Sequence, residues 1–160
     1  MAAVSNAFTD LVGCRLPLQQ AGMGGVATPE LALAVTGAGA LGMLGTPGGA
    51  DALTATLDDV TGRADGPVGI NFLMPFCDPA AVEVAAARLR LVEFFWGGPD
   101  PAMVARVHDG GALCAWQVGS ADEASAAYDA GCDLVVAQGV EAGGHVRGTV
   151  GLLPLLDAVL

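Results

Sequence analysis

The feature that most constrains the fold is a repeated junction, in which a short apolar run is followed by a turn and a purpose-built helix start. Thr28-Pro29, Asp78-Pro79 and Asp100-Pro101 each place an oxygen acceptor at a helix cap and proline at the first helical position. Ser120, with Glu123 three residues on, has capping-box spacing. The apolar runs are Leu16 to Gln20, Ala40 to Leu44, Val68 to Leu73, Leu91 to Trp96, Ala112 to Val118 and Leu134 to Ala137. Helices are predicted from Pro29 to about Thr36, Ala50 to Val60, Pro79 to about Leu89, Pro101 to about His108, and after Ser120; Leu152 to Leu160 begins another. Six strand–helix units of roughly 20–30 residues call for a parallel sheet with right-handed crossovers. The strands are nearly continuous apolar runs, as expected where both faces are covered. An arc of a (β/α)8 barrel and a doubly wound open sheet both satisfy this pattern. No linker or charge run divides the chain, so residues 1–160 read as one domain.

Composition narrows the function. A chain of 160 residues, 53% apolar, supports one buried core and argues against disorder. Net charge is −11, with six arginines and no lysine, so no basic stripe exists for nucleic acid. Leu31 to Ala50 is uncharged over a membrane-spanning length. Six glycines and Pro47 cut it into a helix end, a strand and a loop. No signal-peptide pattern precedes Arg15, and a cytoplasmic location is expected. Cys14, Cys77, Cys114 and Cys132 are widely spaced with no C-x-x-C pair. They read as small apolar side chains in a reducing compartment, and no metal site is expected.

Gly37-Ala38-Gly39-Ala40-Leu41-Gly42 matches the G-x-G-x-x-G dinucleotide pattern. That fingerprint must follow a strand and open a helix. Here a helix precedes it and a strand follows, so a pyrophosphate would meet no helix N-terminus. Turn glycines are the expected reading.

The stretch from Asp133 to His145 carries the most chemistry. A buried strand ends at Gln138-Gly139, and a glycine-rich turn delivers one of only two histidines. Strand C-terminal ends are where α/β enzymes keep their catalytic groups. An imidazole ordinarily titrates near about 6.5, which suits proton removal from an acidic carbon. A lone turn histidine more commonly satisfies backbone groups; the strand end and Gly143-Gly144 favour the catalytic reading. Glu141 reads as a structural acceptor, and Met23 as a packing residue. Phe94, Phe95 and Trp96 read as core and mouth packing, and His108 as a helix C-terminal residue placed by the dipole.

Three segments together resemble the nitronate monooxygenase family. The first is Leu18-Gln19-Gln20-Ala21-Gly22-Met23-Gly24-Gly25, followed by Pro29-Glu30-Leu31-Ala32 and Ala38-Gly39-Ala40-Leu41-Gly42. The second is Gly69-Ile70-Asn71-Phe72, and the third runs from Gln138 to His145. The resemblance covers about residues 12 to 158 and implies an FMN-dependent (β/α)8 barrel that oxidises alkyl nitronates with oxygen. It implies backbone contact with the flavin from Ala21, Gly22 and Met23, and hydrogen bonds from Asn71 and Gln138. It also implies close approach at Gly143 and Gly144, a flavin contact at Gln117, and His145 as base or substrate-orienting group. The family commonly has proline where Gly22 stands, which implies a looser turn here. A very similar glycine-histidine motif belongs to flavin-dependent enoyl-ACP reductases, and a non-catalytic half-domain is a third reading. Six units predict an arc two units short of closure. The family's phosphate grip would come from loops after strands seven and eight, and a homo-oligomer or partner would cover the open edge.

Overall fold

The computed structural model describes residues 4–160. Five parallel strands are hydrogen-bonded in simple chain order: β1 (Gly42–Gly45), β2 (Val68–Leu73), β3 (Leu91–Phe95), β4 (Leu113–Val118) and β5 (Leu134–Ala137). This order decides between the two candidate architectures. A doubly wound sheet reverses strand order at a switch point, whereas a barrel arc adds each strand beside the last. The fold is α/β and of the (β/α)8-barrel type.

The helices form where the junctions predict. Helix α2 (Pro29–Gly37) is capped by Thr28, α4 (Pro79–Ala86) by Asp78, and α5 (Pro101–Asp109) by Asp100. In each, the cap side chain accepts from a backbone N–H of the first turn, and proline follows immediately. Between them lies α3 (Ala50–Arg63), and α6 (Ala121–Asp129) follows β4. Ser120 caps α6 by accepting from Glu123 N, but the Glu123 side chain does not complete the box. It accepts instead from Gly119 N, at 2.8 Å. Helix α7 (Leu152–Val159) ends the described chain.

Two corrections concern the N-terminal region. The predicted strand Leu16 to Gln20 forms only a single parallel bridge, Gln19 to Leu41. Pro17 has no N–H to give a ladder, and Leu18 N turns back to Leu16 O at 2.8 Å. The sheet therefore has five strands and a bridge rather than six strands. A short helix, α1 (Ala7–Val12), was not predicted; Asn6 and Thr9 form its reciprocal capping box, and Gly13 ends it at φ 85°.

Period-two alternation sorts the strand residues onto two faces. One face (Leu44, Ile70, Phe72, Val92, Phe94, Trp116) packs with helices α2 to α6 into the main core. On the other face, Met43, Leu91 and Ala115 pack with Leu41, Val12 and Cys14, so α1 plugs the strands' N-terminal end. Arg90 ties that plug down by donating from Nε to Val12 O (3.1 Å) and from its terminal nitrogen to Leu11 O.

The glycine decoy resolves as turn and packing chemistry. Gly39 sits at φ 101°, and a Cβ on Gly42 would fall 2.1 Å from Ala32 O, where α2 crosses β1. No helix among the described residues is long and apolar enough to cross a membrane.

Candidate functional site

The C-terminal strand ends and their loops surround a cavity of about 1020 Å³. Its walls come from the inward residues Asn71, Glu93, Gln117 and Val136, from the Gln19–Gly24 segment, and from the loop after β5. Ala21, Gly22, Met23, Asn71, Gln117, Gln138, Gly143, Gly144 and His145 all line this one cavity. The structure thus brings together every predicted site residue, from four separate stretches of chain.

The deepest polar group is one that sequence reasoning passed over. Glu93 is only 3% exposed, yet it carries a carboxyl in the middle of β3. Asn71 Nδ2 donates to its Oε1 at 2.7 Å, and Gln19 Nε2 donates to its Oε2 at 2.5 Å. Burial pushes its carboxyl up from the ordinary 4.5, and the two amide donors pull it partly back. The available signal was a single acid inside the otherwise apolar run Leu91 to Trp96.

Gly22 is not loose. A Cβ there would lie 2.2 Å from Asn71 Cβ, so the position is closed to any side chain, proline included. Absence of a side chain lets the Ala21–Met23 backbone press against β2. Gln20 lies beside it, with Nε2 donating to Met43 O at 2.9 Å and Oε1 buried without a partner.

The loop bearing His145 is held at several points. Gln138 Nε2 donates to His145 O (2.9 Å), and Gln138 Oε1 accepts from Arg147 N (3.4 Å). Gln138 therefore shapes the loop, with its amide engaged by backbone. Arg147 Nε pairs with Glu123 Oε1 at 2.6 Å, which explains why Glu123 leaves its capping box half-made. Glu141 Oε2 accepts from Leu152 N at 2.9 Å and so caps α7, which has no side-chain cap of its own at Gly151. The expected structural role of Glu141 is thus observed. Gly144, at φ 73°, turns the backbone immediately before His145.

The His145 ring is exposed and meets Trp96 edge-to-face, with centroids 5.3 Å apart. Trp96 is the one non-glycine residue with positive φ (65°) among the described residues, and it directly follows β3. Backbone strain of this kind, here held against a cavity-lining histidine, clusters at functional positions. Trp96 was expected to pack; its contact with the histidine was not foreseen, because no sequence pattern links β3 to the loop after β5. His108, by contrast, lies far from the cavity lining and bonds Asp133 Oδ2 through Nε2 at 2.9 Å.

A parallel barrel-type arc with a glycine-lined cavity at the carboxyl ends of its strands defines a protein of the (β/α)8-barrel class. Within that class, the chain belongs to the nitronate monooxygenase family, whose profile matches residues 5–90 and 79–160. It is 34% identical over 157 residues to a Mycobacterium tuberculosis enzyme, (3aS,4S,5R,7aS)-5-hydroxy-7a-methyl-1-oxo-octahydro-1H-indene-4-carboxyl-CoA dehydrogenase. That alignment covers 95% of this chain and 44% of the relative. It is 30% identical over 183 residues to nitronate monooxygenase of Pseudomonas aeruginosa, covering 89% and 52%. Among solved structures, FabK from Thermotoga maritima superposes with a TM-score of 0.89 at 30% identity, covering 98% of this chain and 50% of that one. The chain spans about half the length of these relatives.

Proposed function

We propose that the cavity holds the ring of FMN and that the protein oxidises alkyl nitronates or nitroalkanes with oxygen. The observation that carries this reading is the meeting of His145 with the Gln20, Asn71 and Gln117 amides around one cavity. The lining suits a flat heteroaromatic ring. Gly24 and Gly143 allow close backbone approach, the amides offer hydrogen bonds, and Gln20 Oε1 is a buried acceptor still lacking a donor. The fit is to the ring rather than the phosphate. No arginine lines the cavity among the described residues, and Arg147 is paired with Glu123.

When bound, the flavin supplies the electron chemistry, accepting a pair from substrate and passing it to oxygen. The chain's own residues supply binding and proton handling. His145 takes the α-proton of a neutral nitroalkane, or in its protonated form orients an anionic nitronate. Trp96 limits the tilt of the imidazole from one side, while the Gln138 bond to His145 O fixes the backbone beneath it. Val136, Phe95 and Leu73 make the wall beside the amides apolar, which keeps water from the reacting carbon.

Reconstituted with FMN, the protein should turn yellow and consume oxygen in the presence of an alkyl nitronate. His145→Ala should retain flavin and lose about 10²- to 10⁴-fold in turnover. Unchanged turnover would remove His145 from the chemistry, and protein that stays colourless would favour a non-catalytic half-domain.

A second reading, reduction of an enoyl thioester, is supported by the rim. Phe76 lines the cavity yet is 82% exposed, and Met23 in the same lining is 38% exposed, apolar surface suited to an acyl chain. NAD(P)H consumption with an enoyl thioester, without nitronate turnover, would select it.

A further inference from the structure

Three side-chain amides line the cavity, and each spends its nitrogen on the protein. Gln19 Nε2 and Asn71 Nδ2 donate to the two oxygens of Glu93, and Gln20 Nε2 donates to Met43 O. Every amide nitrogen is therefore spent inward, on the protein. The oxygens are left over: Gln20 Oε1 is buried and unpartnered, and among the described residues no donor serves Asn71 Oδ1 or Gln19 Oε1. All three residues line the cavity.

An amide can exchange its oxygen and nitrogen by a half-turn at almost no steric cost, so shape alone does not decide which end faces a ligand. Its neighbour decides. An ionised carboxylate only accepts. Facing the ionised form of Glu93, Asn71 and Gln19 can present only their nitrogens. A glutamine at the same place would offer its own donor and let one amide reverse.

We propose that Glu93 is a positioning residue that sets the polarity of this wall, turning the Asn71 and Gln19 oxygens toward the cavity so that it selects a ligand edge bearing an N–H donor. Resting on the flavin reading, the inference identifies that edge as the imide N–H of the oxidised ring. Glu93 itself lies behind the amides and acts through them. The buried carboxyl in an otherwise apolar strand thereby gains a reason to exist, since burying it uncompensated would be costly.

The test compares FMN with FMN methylated at the ring imide nitrogen, by fluorescence titration at about pH 8, well above the ordinary carboxylate range. Wild-type protein should bind the methylated ring at least about tenfold more weakly, the loss expected for one hydrogen bond made to an oriented acceptor. Glu93→Gln should narrow that gap to about twofold or less. A variant that merely melts at lower temperature while keeping the wild-type gap would overturn the proposal, because it would show Glu93 to be structural only. A second measurement needs no variant and no flavin. In wild-type protein, the side-chain NH2 protons of Asn71 and Gln19 should exchange slowly with solvent by NMR, being held against Glu93. Rapid exchange at both would also overturn it. Failure of wild-type protein to bind either flavin would sink the flavin reading instead, leaving the amide exchange to judge Glu93.

Discussion

The two ends of the same inner sheet face are built on opposite principles. At the N-terminal end, Met43, Leu91 and Ala115 meet α1 and the packing is apolar and closed. Two residues beyond Gly69, Leu91 and Ala115 on the same face, Asn71, Glu93 and Gln117 line a cavity of about 1020 Å³. The register is continuous through both layers, with Gly69 beside Leu91 and Asn71 beside Glu93. One sheet thus provides a rigid plug and an open polar site, and the difference lies wholly in side chains. Stability resides at the plugged end, and the candidate site at the open one.

The sharpest way to break this comparison is to damage each end separately. Leu91→Ala, at a fully buried plug position, should cost about 2–5 kcal/mol in urea denaturation, against no comparable loss for the exposed His145→Ala. Equal losses at the two sites would erase the distinction. Gly22→Ala tests whether the open end is as tightly shaped as the closed one. The added Cβ collides with Asn71, so a cost of about 1–3 kcal/mol and weakened flavin binding are expected, read by melting and by flavin titration. Glu141→Ala removes the cap of α7 and should cost about 1 kcal/mol; native turnover with lower stability would place Glu141 outside the chemistry, as its bond to Leu152 N indicates.

The smallest effect is a slope. Burial holds the Glu93 carboxyl above its ordinary 4.5, so the folded protein keeps a proton that the unfolded chain has already lost. The stability contributed by that proton is complete below 4.5 and is lost as pH rises through the raised folded value. Glu93→Gln has no proton to lose, so it should flatten this decline in urea midpoints measured from about pH 4 upward. Parallel pH profiles for the two proteins would show that Glu93 is not desolvated.

Legibility in the sequence followed the range of the interaction. The caps at Thr28, Asp78, Asp100 and Ser120 are local, and each appeared where it was read. The residues now found around the cavity were legible because strand ends and glycine turns are also local features. Besides the Trp96–His145 contact, three features were not legible. Helix α1 was masked by its shortness, although Asn6 and Thr9 carry its capping signal. Leu16 to Gln20 has a strand's apolar pattern, but Pro17 lacks the donor that a ladder needs and only one bridge forms. Glu93 was read as part of an apolar run, and its partners stand 74 and 22 residues away.

By itself, the sequence determined the alternation of strand and helix, because capping, proline geometry and apolar periodicity act within a few residues. It also determined which strand ends carry polar groups. Tertiary structure alone chose the barrel-type arc over the doubly wound sheet, since that choice depends on which strand pairs with which. It alone set Trp96 against His145 and turned three amides by way of Glu93 and Met43, because hydrogen bonds and ring contacts between distant segments exist only once the strands are in register.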